Sequence, residues 1–201
     1  ENVPGYDFGM VYFNADGRES SMCGNGGRCI VAFAHALGVF EKKCRFLAID
    51  GPHEAHISEV GKSWEDTYLG KTKWVELKMS DVQQVENQGV NYILNTGSPH
   101  FVQFEKTLAG LDVFKHGREI RNSRPFRAEG INVNFVEKRD PNSIELATYE
   151  RCVEDETLSC GTGATAAAIA YFIETNLKGP QVISVSTKGG PLEVRFEPDG
   201  R

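Results

Sequence analysis

Met-Cys-Gly-Asn-Gly-Gly-Arg at residues 22–28 and Ser-Cys-Gly-Thr-Gly-Ala at residues 159–164 are the two stretches around which this chain is arranged. Each reads cysteine, glycine, polar residue, glycine, and each leads into a helical pattern, over 29–37 and 164–174. The first N–H groups of a helix are unpaired and lie at the positive end of its dipole. This setting lowers the pKa of a thiol, so we predict two reactive cysteines, Cys23 and Cys160.

The two stretches belong to a longer repeat. A predicted strand ends before each cysteine, at Asn14 and Tyr149, and each helix is followed by a strand, a Gly-Pro turn and a second strand. A repeat of this length indicates a duplicated domain rather than a solenoid. We expect the boundary near Ser80, with one half at 1–80 and the other at 81–201. A pseudo-two-fold axis between them would bring the two helix starts face to face.

Period-two patterns and turn signals predict the strands along the chain. These strands cover residues 10–14, 45–49, 53–60, 74–79, 92–94, 101–104, 131–136, 144–149, 182–186 and 192–196. A weaker helical pattern covers 108–122, and residues 61–71 are polar and predicted to form a loop.

Composition narrows the class of protein. Hydrophobic residues make up 40% and charged residues 25%, as in a soluble globular protein, and the net charge of −6 argues against a nucleic-acid binder. No apolar run approaches the ~20 residues that span a bilayer. The five cysteines have no framework spacing, so we expect reduced thiols and a cytoplasmic protein. The chain opens on Glu1, and we expect that part of the natural protein is missing at one or both ends.

Two thiols on opposite sides of an α-carbon can invert its configuration without a cofactor. One thiolate removes the α-proton while the other group, as a thiol, delivers a proton to the opposite face. Negative charge then develops on the substrate carboxylate. Backbone donors at the two helix starts, at Gly24, Asn25, Gly161 and Thr162, would stabilise that charge.

Five ordered motifs make nearly the whole chain resemble the diaminopimelate epimerase family. They are Phe-Asn-Ala-Asp-Gly at 13–17, Cys-Gly-Asn-Gly-Gly-Arg-Cys at 23–29, Ser-Pro-His at 98–100, Gly-Ile-Asn-Val-Asn-Phe-Val at 130–136, and Tyr-Glu-Arg at 149–151 followed by Glu-Thr-Leu-Ser-Cys-Gly-Thr-Gly at 156–163. The resemblance implies cofactor-independent interconversion of LL- and meso-diaminopimelate, in lysine and peptidoglycan-precursor synthesis. It also suggests a homodimer with no metal.

The resemblance implies a role for each matched residue. Cys23 and Cys160 would be the acid/base pair, and His100 and Glu150 would tune the two thiols. Arg151 suits the distal carboxylate, since its planar fork can donate two hydrogen bonds. The residues implied in substrate binding are Asn14, Gly24, Asn25, Ser98, Asn132, Glu150, Arg151, Gly161 and Thr162. The expected fold is α+β, with two pseudo-equivalent domains, each a mostly antiparallel curled sheet around a central helix.

Three features depart from the family pattern. Ser98 stands where an asparagine is expected, and its hydroxyl has a shorter reach. Cys152 replaces a glycine, and the segment from there to Cys160 is one residue longer than usual. The family's N-terminal glycine-asparagine motif and its final strand are absent from this sequence.

Other interpretations stay open at the level of sequence. Free cysteines are most often small buried residues, and we assign Cys29, Cys44 and Cys152 to that class. By default, His100 would be a structural histidine, and Asn14 and Asn132 would be turn residues. Glu150 and Arg151 would by default form a solvated ion pair. No Cys-x₂-Cys or His-x₃-His spacing indicates zinc, and neither glycine stretch is a P-loop. The alternative functions are a proline- or hydroxyproline-type two-cysteine racemase and a non-catalytic thiol-redox or binding protein.

Overall fold

The computed structural model describes residues 3–13, 17, 19, 22–59 and 73–199. The chain divides into two compact units, Glu1–Ser80 and Asp81–Arg201, and each is described by itself. Among the described residues, no helix is both long and apolar enough to cross a membrane.

The first unit is a four-stranded sheet with one helix. Its elements are β1 (Phe8–Gly9), α1 (Gly24–Ala36), β2 (Lys43–Ala48), β3 (Gly51–Glu59) and β4 (Lys73–Leu77). The strands lie in the order β1-β2-β3-β4. Strand β1 runs parallel to β2, whereas the β2–β3 and β3–β4 pairs are antiparallel.

Helix α1 packs closely on this sheet. The core contains Val31 of the helix and the stacked rings of Phe8 and Phe46, whose centroids lie 5.0 Å apart. Gly27 permits the close approach, because a Cβ at this position would lie 2.8 Å from Cδ2 of Leu77 on β4. The glycines after Cys23 therefore form the first turn of the helix rather than a loop before it.

The second unit is an eight-stranded sheet with two helices. Its elements are β5 (Val85–Asn87), β6 (Asn91–Asn95), β7 (Pro99–Glu105), α2 (Val113–Arg121), β8 (Asn132–Lys138), β9 (Ser143–Glu150), β10 (Asp155–Thr157), α3 (Gly161–Glu174), β11 (Gln181–Thr187) and β12 (Gly190–Phe196). The strand order is β12-β11-β9-β8-β7-β6-β5, with β10 paired to β9. The β7–β8 and β9–β11 pairs are parallel and the other pairs are antiparallel.

The two helices of this unit belong to two different cores. Helix α3 is rich in alanine and buries five of these alanines, Ala164, Ala166, Ala167, Ala168 and Ala170, against one set of strand residues. Helix α2 packs against the other set through Val113 and Ile120. Side chains alternate between the faces of a strand, so even-numbered positions on β7, β8 and β9 share the face that carries α3.

The repeat predicted from sequence is visible in the local geometry of each unit. In both, a strand runs parallel to the first strand of the hairpin that follows the helix, as β1 does to β2 and β9 to β11. Both hairpins have two-residue loops, since Ala48 pairs with Gly51 and Thr187 with Gly190. Gly51 and Gly190 have φ angles of 120° and 116°, which only glycine adopts readily, and each precedes a proline. The predicted α+β class is confirmed.

Several predicted boundaries were wrong. The predicted first strand, 10–14, is shifted toward the N-terminus: the strand is Phe8–Gly9, and Met10 adds one further hydrogen bond to Leu47 of β2. Helices α1 and α3 begin five and three residues earlier than predicted, because the glycines there lie inside the first turn. Helix α2 begins only at Val113, after its N-cap residue Asp112.

Two short strands, β5 and β10, were missed, because each has only three residues and no clear alternation. Asn14 and the predicted polar loop at 61–71 lie outside the described residues.

Candidate active site

Cys160 is the N-cap residue of α3. Its backbone is extended, with φ −128° and ψ 111°, and its Sγ accepts a hydrogen bond from the backbone N–H of Gly163 at 3.3 Å. The hydroxyl of Thr162 lies 3.4 Å from the same sulfur. The sulfur of Cys160 caps the helix, as the side-chain oxygen of a serine or aspartate commonly does. The thiol is thus fixed at the positive end of the helix.

The environment of Cys160 corrects the expectation of a lowered thiol pKa. Burial, together with the negative charge of Glu150, raises the pKa of Cys160 to about 12, against the hydrogen bonds from Thr162 and Gly163, which lower it. Only 6% of the residue is exposed, so the thiolate is poorly solvated. In the substrate-free protein, Cys160 is therefore a neutral thiol at neutral pH.

Cys23 occupies the same position on α1. Its backbone angles are −106° and 116°, and its Sγ accepts from the N–H of Gly26 at 3.4 Å. Unlike Cys160, it is half-buried rather than enclosed. Gly24 and Asn25 follow in the first turn, where Asn25 accepts a hydrogen bond from the guanidinium of Arg28. The two cysteines thus have matching local geometry but different exposure.

Ser98, Asn132 and Arg151 form a connected chain of polar groups. The amide nitrogen of Asn132 donates to Oγ of Ser98 at 2.9 Å, and its Oδ1 accepts from the backbone N–H of Arg151 at 2.9 Å. The guanidinium of Arg151 donates one hydrogen bond, to the carbonyl of Glu129 at 3.2 Å. Asn132 therefore links the loop before β7 to the turn after β9.

Glu150 ends β9 on the face of the sheet that carries α3. Its Oε1 accepts from the hydroxyl of Thr157 on β10 at 3.1 Å. Its charge acts on Cys160, as the raised thiol pKa shows. The last residue of β9 thus acts electrostatically on the N-cap residue of α3.

His100 is fully buried beneath this group. Burial, together with the positive charge of Arg151, lowers the pKa of His100 to about 3. Its Nδ1 lies 3.0 Å from Nδ2 of Asn134. His100 is consequently neutral at any physiological pH.

The second unit thus brings together most of the residues singled out from sequence. They are Ser98, His100, Asn132, Glu150, Arg151, Cys160, Gly161 and Thr162. Cys23, Gly24 and Asn25 belong to the first unit, and Asn14 lies outside the described residues. An open depression beside α2, lined by Phe114, Lys115, Arg118, Glu119 and Asn122, contains none of them. In the described part of the chain, no group of three or more His, Cys, Asp or Glu residues could hold a metal ion.

Sequence reasoning missed three buried polar residues beside this group. Asn134 and Thr148 are bonded to each other on β8 and β9, and the hydroxyl of Thr96 donates to the carbonyl of Thr162 at 2.8 Å. All three are 2% exposed or less. Their polarity within otherwise apolar segments could have identified them, because buried polar groups need hydrogen-bond partners.

Comparison with known proteins assigns the family. The family model for diaminopimelate epimerase matches residues 92–201. Diaminopimelate epimerase from Flavobacterium psychrophilum is 47% identical over 197 residues, which cover 98% of this chain and 72% of the relative. The one from Aquifex aeolicus is 39% identical over 196 residues, covering 98% of this chain and 69% of the relative.

Solved structures with low sequence identity share the fold. A phenazine biosynthesis protein of the PhzF family from Bacillus anthracis has a TM-score of 0.74 at 13% identity, over 98% of this chain and 75% of that one. A hydroxyproline epimerase from Agrobacterium vitis has a TM-score of 0.69 at 14% identity, over 96% of this chain and 65% of that one. These likenesses concern the fold alone, whereas the sequence matches show that the chain belongs to the diaminopimelate epimerase family of isomerases.

Proposed function

We propose that this protein interconverts LL- and meso-2,6-diaminopimelate by a two-base mechanism, with Cys23 and Cys160 as the acid/base pair. The observation that carries the proposal is the matched placement of the two cysteines as N-caps of α1 and α3. Each sulfur accepts from the backbone N–H three residues later, at 3.4 and 3.3 Å. The names of the sequence relatives supply the substrate.

The reaction needs one proton removed and one delivered. The thiolate of one cysteine takes the α-proton and becomes a thiol, while the thiol of the other gives its proton to the opposite face and becomes a thiolate. Neutral Cys160 supports its role as the proton donor in the first turnover, with Cys23 as the base. The roles are exchanged afterwards, so the enzyme works in both directions without a cofactor. The mechanism requires the two helix starts to flank one α-carbon.

The two helix starts would also stabilise the charge that develops on the reacting carboxylate. Gly24, Asn25, Gly161 and Thr162 lie in the first turns of α1 and α3, the part of a helix whose N–H groups and dipole favour a bound anion. Donors aimed at developing charge in a water-excluded site typically contribute ~10²–10³-fold in rate each.

The distal end of the substrate would be held by Asn14, Asn132, Glu150 and Arg151, with Ser98 as a further substrate contact. The chain of hydrogen bonds through Asn132 supports this assignment, because it joins the hydroxyl of Ser98 to the backbone of Arg151. A guanidinium fork suits a second carboxylate. Proline and hydroxyproline have no second carboxylate, which makes the proline-type alternative the weaker one.

His100 and Glu150 would tune the thiols, and neither favours the thiolate of Cys160. Glu150 keeps Cys160 protonated through its negative charge. His100, being neutral, adds no positive charge that would favour a thiolate. We assign the protein to lysine and peptidoglycan-precursor synthesis, in the cytoplasm and as a homodimer without pyridoxal phosphate, on the family resemblance together with the absence of any disulfide-framework spacing among its cysteines.

Solvent deuterium exchange tests this function. Incubation of LL-diaminopimelate with the protein in D₂O should yield α-deuterated LL and meso isomers. Cys23→Ala and Cys160→Ala should each lose at least ~10²–10⁴-fold of epimerisation, the usual contribution of a positioned acid or base. The expectation of burial was wrong for Cys29 and Cys152, which are exposed, and holds only for Cys44. Cys29→Ala and Cys152→Ala therefore serve as controls and should retain activity.

The outcomes separate the alternative functions. Deuterium in proline or hydroxyproline but not in diaminopimelate would indicate the other class of racemase. No exchange into any of these amino acids would indicate a binding or thiol-redox protein.

A further inference from the structure

Asn134 lies at the centre of a buried polar network that the proposed mechanism does not use. The residue is fully buried on β8, on the face of the sheet that carries α3. Its Nδ2 lies 3.0 Å from the carbonyl oxygen of Phe101 and 3.0 Å from Nδ1 of His100. Its Oδ1 accepts from the hydroxyl of Thr148 at 3.0 Å. One side chain thus connects β7, β8 and β9.

These contacts determine where His100 carries its proton. The carbonyl of Phe101 can only accept a hydrogen bond, so the atom of Asn134 that faces it must be the amide nitrogen. The same nitrogen faces Nδ1 of His100, which must therefore be the unprotonated, accepting nitrogen. A neutral imidazole has one N–H, and in His100 it lies on Nε2.

The Nε2–H group of His100 is left with no partner. The atom is shut off from solvent, and no acceptor among the described residues lies within hydrogen-bond distance of it. Buried polar groups in folded proteins are nearly always paired, so an isolated buried donor calls for an explanation. The positive charge of Arg151 acts on the same imidazole and favours a negatively charged acceptor there.

Asn134 also packs against the first turn of α3, at Gly163. A Cβ added at Gly163 would lie 2.5 Å from Oδ1 of Asn134 and 3.2 Å from Sγ of Cys160. The backbone N–H of Gly163 donates the hydrogen bond to that sulfur. The amide that orients His100 therefore also lies against the first turn of the helix that carries Cys160.

We propose that Asn134 is a positioning residue that holds His100 in the Nε2–H tautomer, so that His100 donates a hydrogen bond to a carboxylate oxygen of the substrate. The identity of that acceptor rests on the proposed function, whereas the tautomer does not. In this role His100 neither takes nor gives a proton in the reaction. Because Nε2 is closed to solvent in the free protein, this bond forms only if substrate binding shifts the groups packed around it.

Nitrogen-15 NMR of the histidine-labelled full chain tests the tautomer without substrate. We expect a pyridine-type Nδ1 and a protonated pyrrole-type Nε2 for His100, unchanged between pH 6 and 8. Diaminopimelate should then shift the Nε2 proton downfield. A protonated Nδ1 in the free protein would overturn the proposed tautomer. No shift of the Nε2 proton on adding diaminopimelate to a protein that epimerises it would overturn the proposed hydrogen bond to the substrate.

Three variants separate positioning from folding. Asn134→Asp removes the amide donor at nearly equal size, so we expect His100 to become protonated at Nδ1 and kcat/KM to fall ~10–100-fold, as for a lost hydrogen bond to a charged group. Thr148→Val removes only the bond to Oδ1 and should keep the wild-type tautomer. Asn142→Asp makes the same change of charge at an exposed turn and should change neither tautomer nor kcat/KM.

The proposal and the proposed function fail differently. If Asn134→Asp leaves the His100 spectrum unchanged, the positioning role is wrong even in an active enzyme. If the wild-type tautomer is as expected but no α-proton exchanges, the epimerase function is wrong and the role of Asn134 in fixing the tautomer stands.

Discussion

At the residue scale, burial rather than the helix dipole governs the thiol of Cys160. A cysteine at a helix start is expected to have a lowered pKa, because the dipole and the capping N–H favour the thiolate. At Cys160, however, desolvation and the charge of Glu150 outweigh the two hydrogen bonds, and the pKa rises to about 12. Position in the sequence indicated the dipole, while only the packed structure revealed the desolvation.

Alkylation of Cys160 should therefore be slow and should accelerate as the pH rises toward 12, because only the thiolate reacts. Glu150→Gln removes the nearby negative charge and lowers the pKa of Cys160, although burial still keeps it above the ordinary value. Labelling by iodoacetamide at pH 9, followed by mass spectrometry, should become about tenfold faster in this variant. Glu86→Gln, on the edge strand β5, is the control and should label at the wild-type rate. Equal rates in both variants would contradict the electrostatic role of Glu150.

At the element scale, glycines permit two helices to pack closely on their sheets. Gly27 brings α1 against Leu77, and Gly117 brings α2 against Tyr149 on β9. Tyr149 is fully buried, and its hydroxyl donates to Glu154, which also accepts from Arg121 of α2 and from the backbone N–H of Cys152. Helix α2 therefore supports the turn that carries Arg151.

Gly117→Ala should destabilise the protein even though alanine is the better helix former by about 1 kcal/mol. The new Cβ would lie 2.6 Å from Cγ of Tyr149, so either the helix or the strand must shift. Overpacking of this kind typically costs ~1–3 kcal/mol, which outweighs the gain in propensity. Urea denaturation should show a lower midpoint for this variant.

Lys115→Ala is the matched control on α2, because its side chain is exposed. The free energy of unfolding should then stay within ~0.5 kcal/mol of the wild type. A Gly117→Ala variant at least as stable as the wild type would show that α2 does not pack on Tyr149 as described.

At the scale of the whole molecule, the proposed mechanism needs one residue from each of two units that are folded around their own cores. Each unit has one N-cap cysteine, and a two-base mechanism needs both thiols. The second unit also contains the described residues assigned to the distal end of the substrate, Asn132, Glu150 and Arg151. The proposed mechanism requires Cys23 and Cys160 to lie close together, and disulfide formation can test this.

Oxidation should join Cys23 to Cys160 if the two helix starts approach each other. A disulfide forms when the two Cα atoms come within about 4.4–6.8 Å. In a variant that keeps only these two cysteines (Cys29→Ser, Cys44→Ala, Cys152→Ser), we expect an intramolecular disulfide by mass spectrometry, with loss of activity that a reductant restores. Bound diaminopimelate should slow its formation.

The control for this experiment keeps Cys152 and Cys160 instead, with Cys23 replaced by alanine. This variant should give little intramolecular disulfide. Formation of only intermolecular disulfides in the first variant would contradict the two-base arrangement.

Much of the fold was predictable because it depends on local chemistry. The strand patterns located nine of the twelve strands, and the Gly-Pro dipeptides located both hairpin turns, where the glycines have positive φ. The missed strands, β5 and β10, are too short for a periodic pattern. The helix starts were misplaced because glycine disfavours helix in isolation, whereas here the cysteine caps and close packing place it in the first turn.

The sequence by itself determined the repeated cysteine unit, the α+β class and the family, because these depend on residue order and spacing. The tertiary structure alone decided the protonation of Cys160 and the tautomer of His100. Both follow from strand register, which sets Asn134 opposite Thr148, and from the packing that removes Cys160 from water. Desolvation and the direction of a hydrogen bond depend on neighbours distant in sequence, and a linear pattern does not specify them.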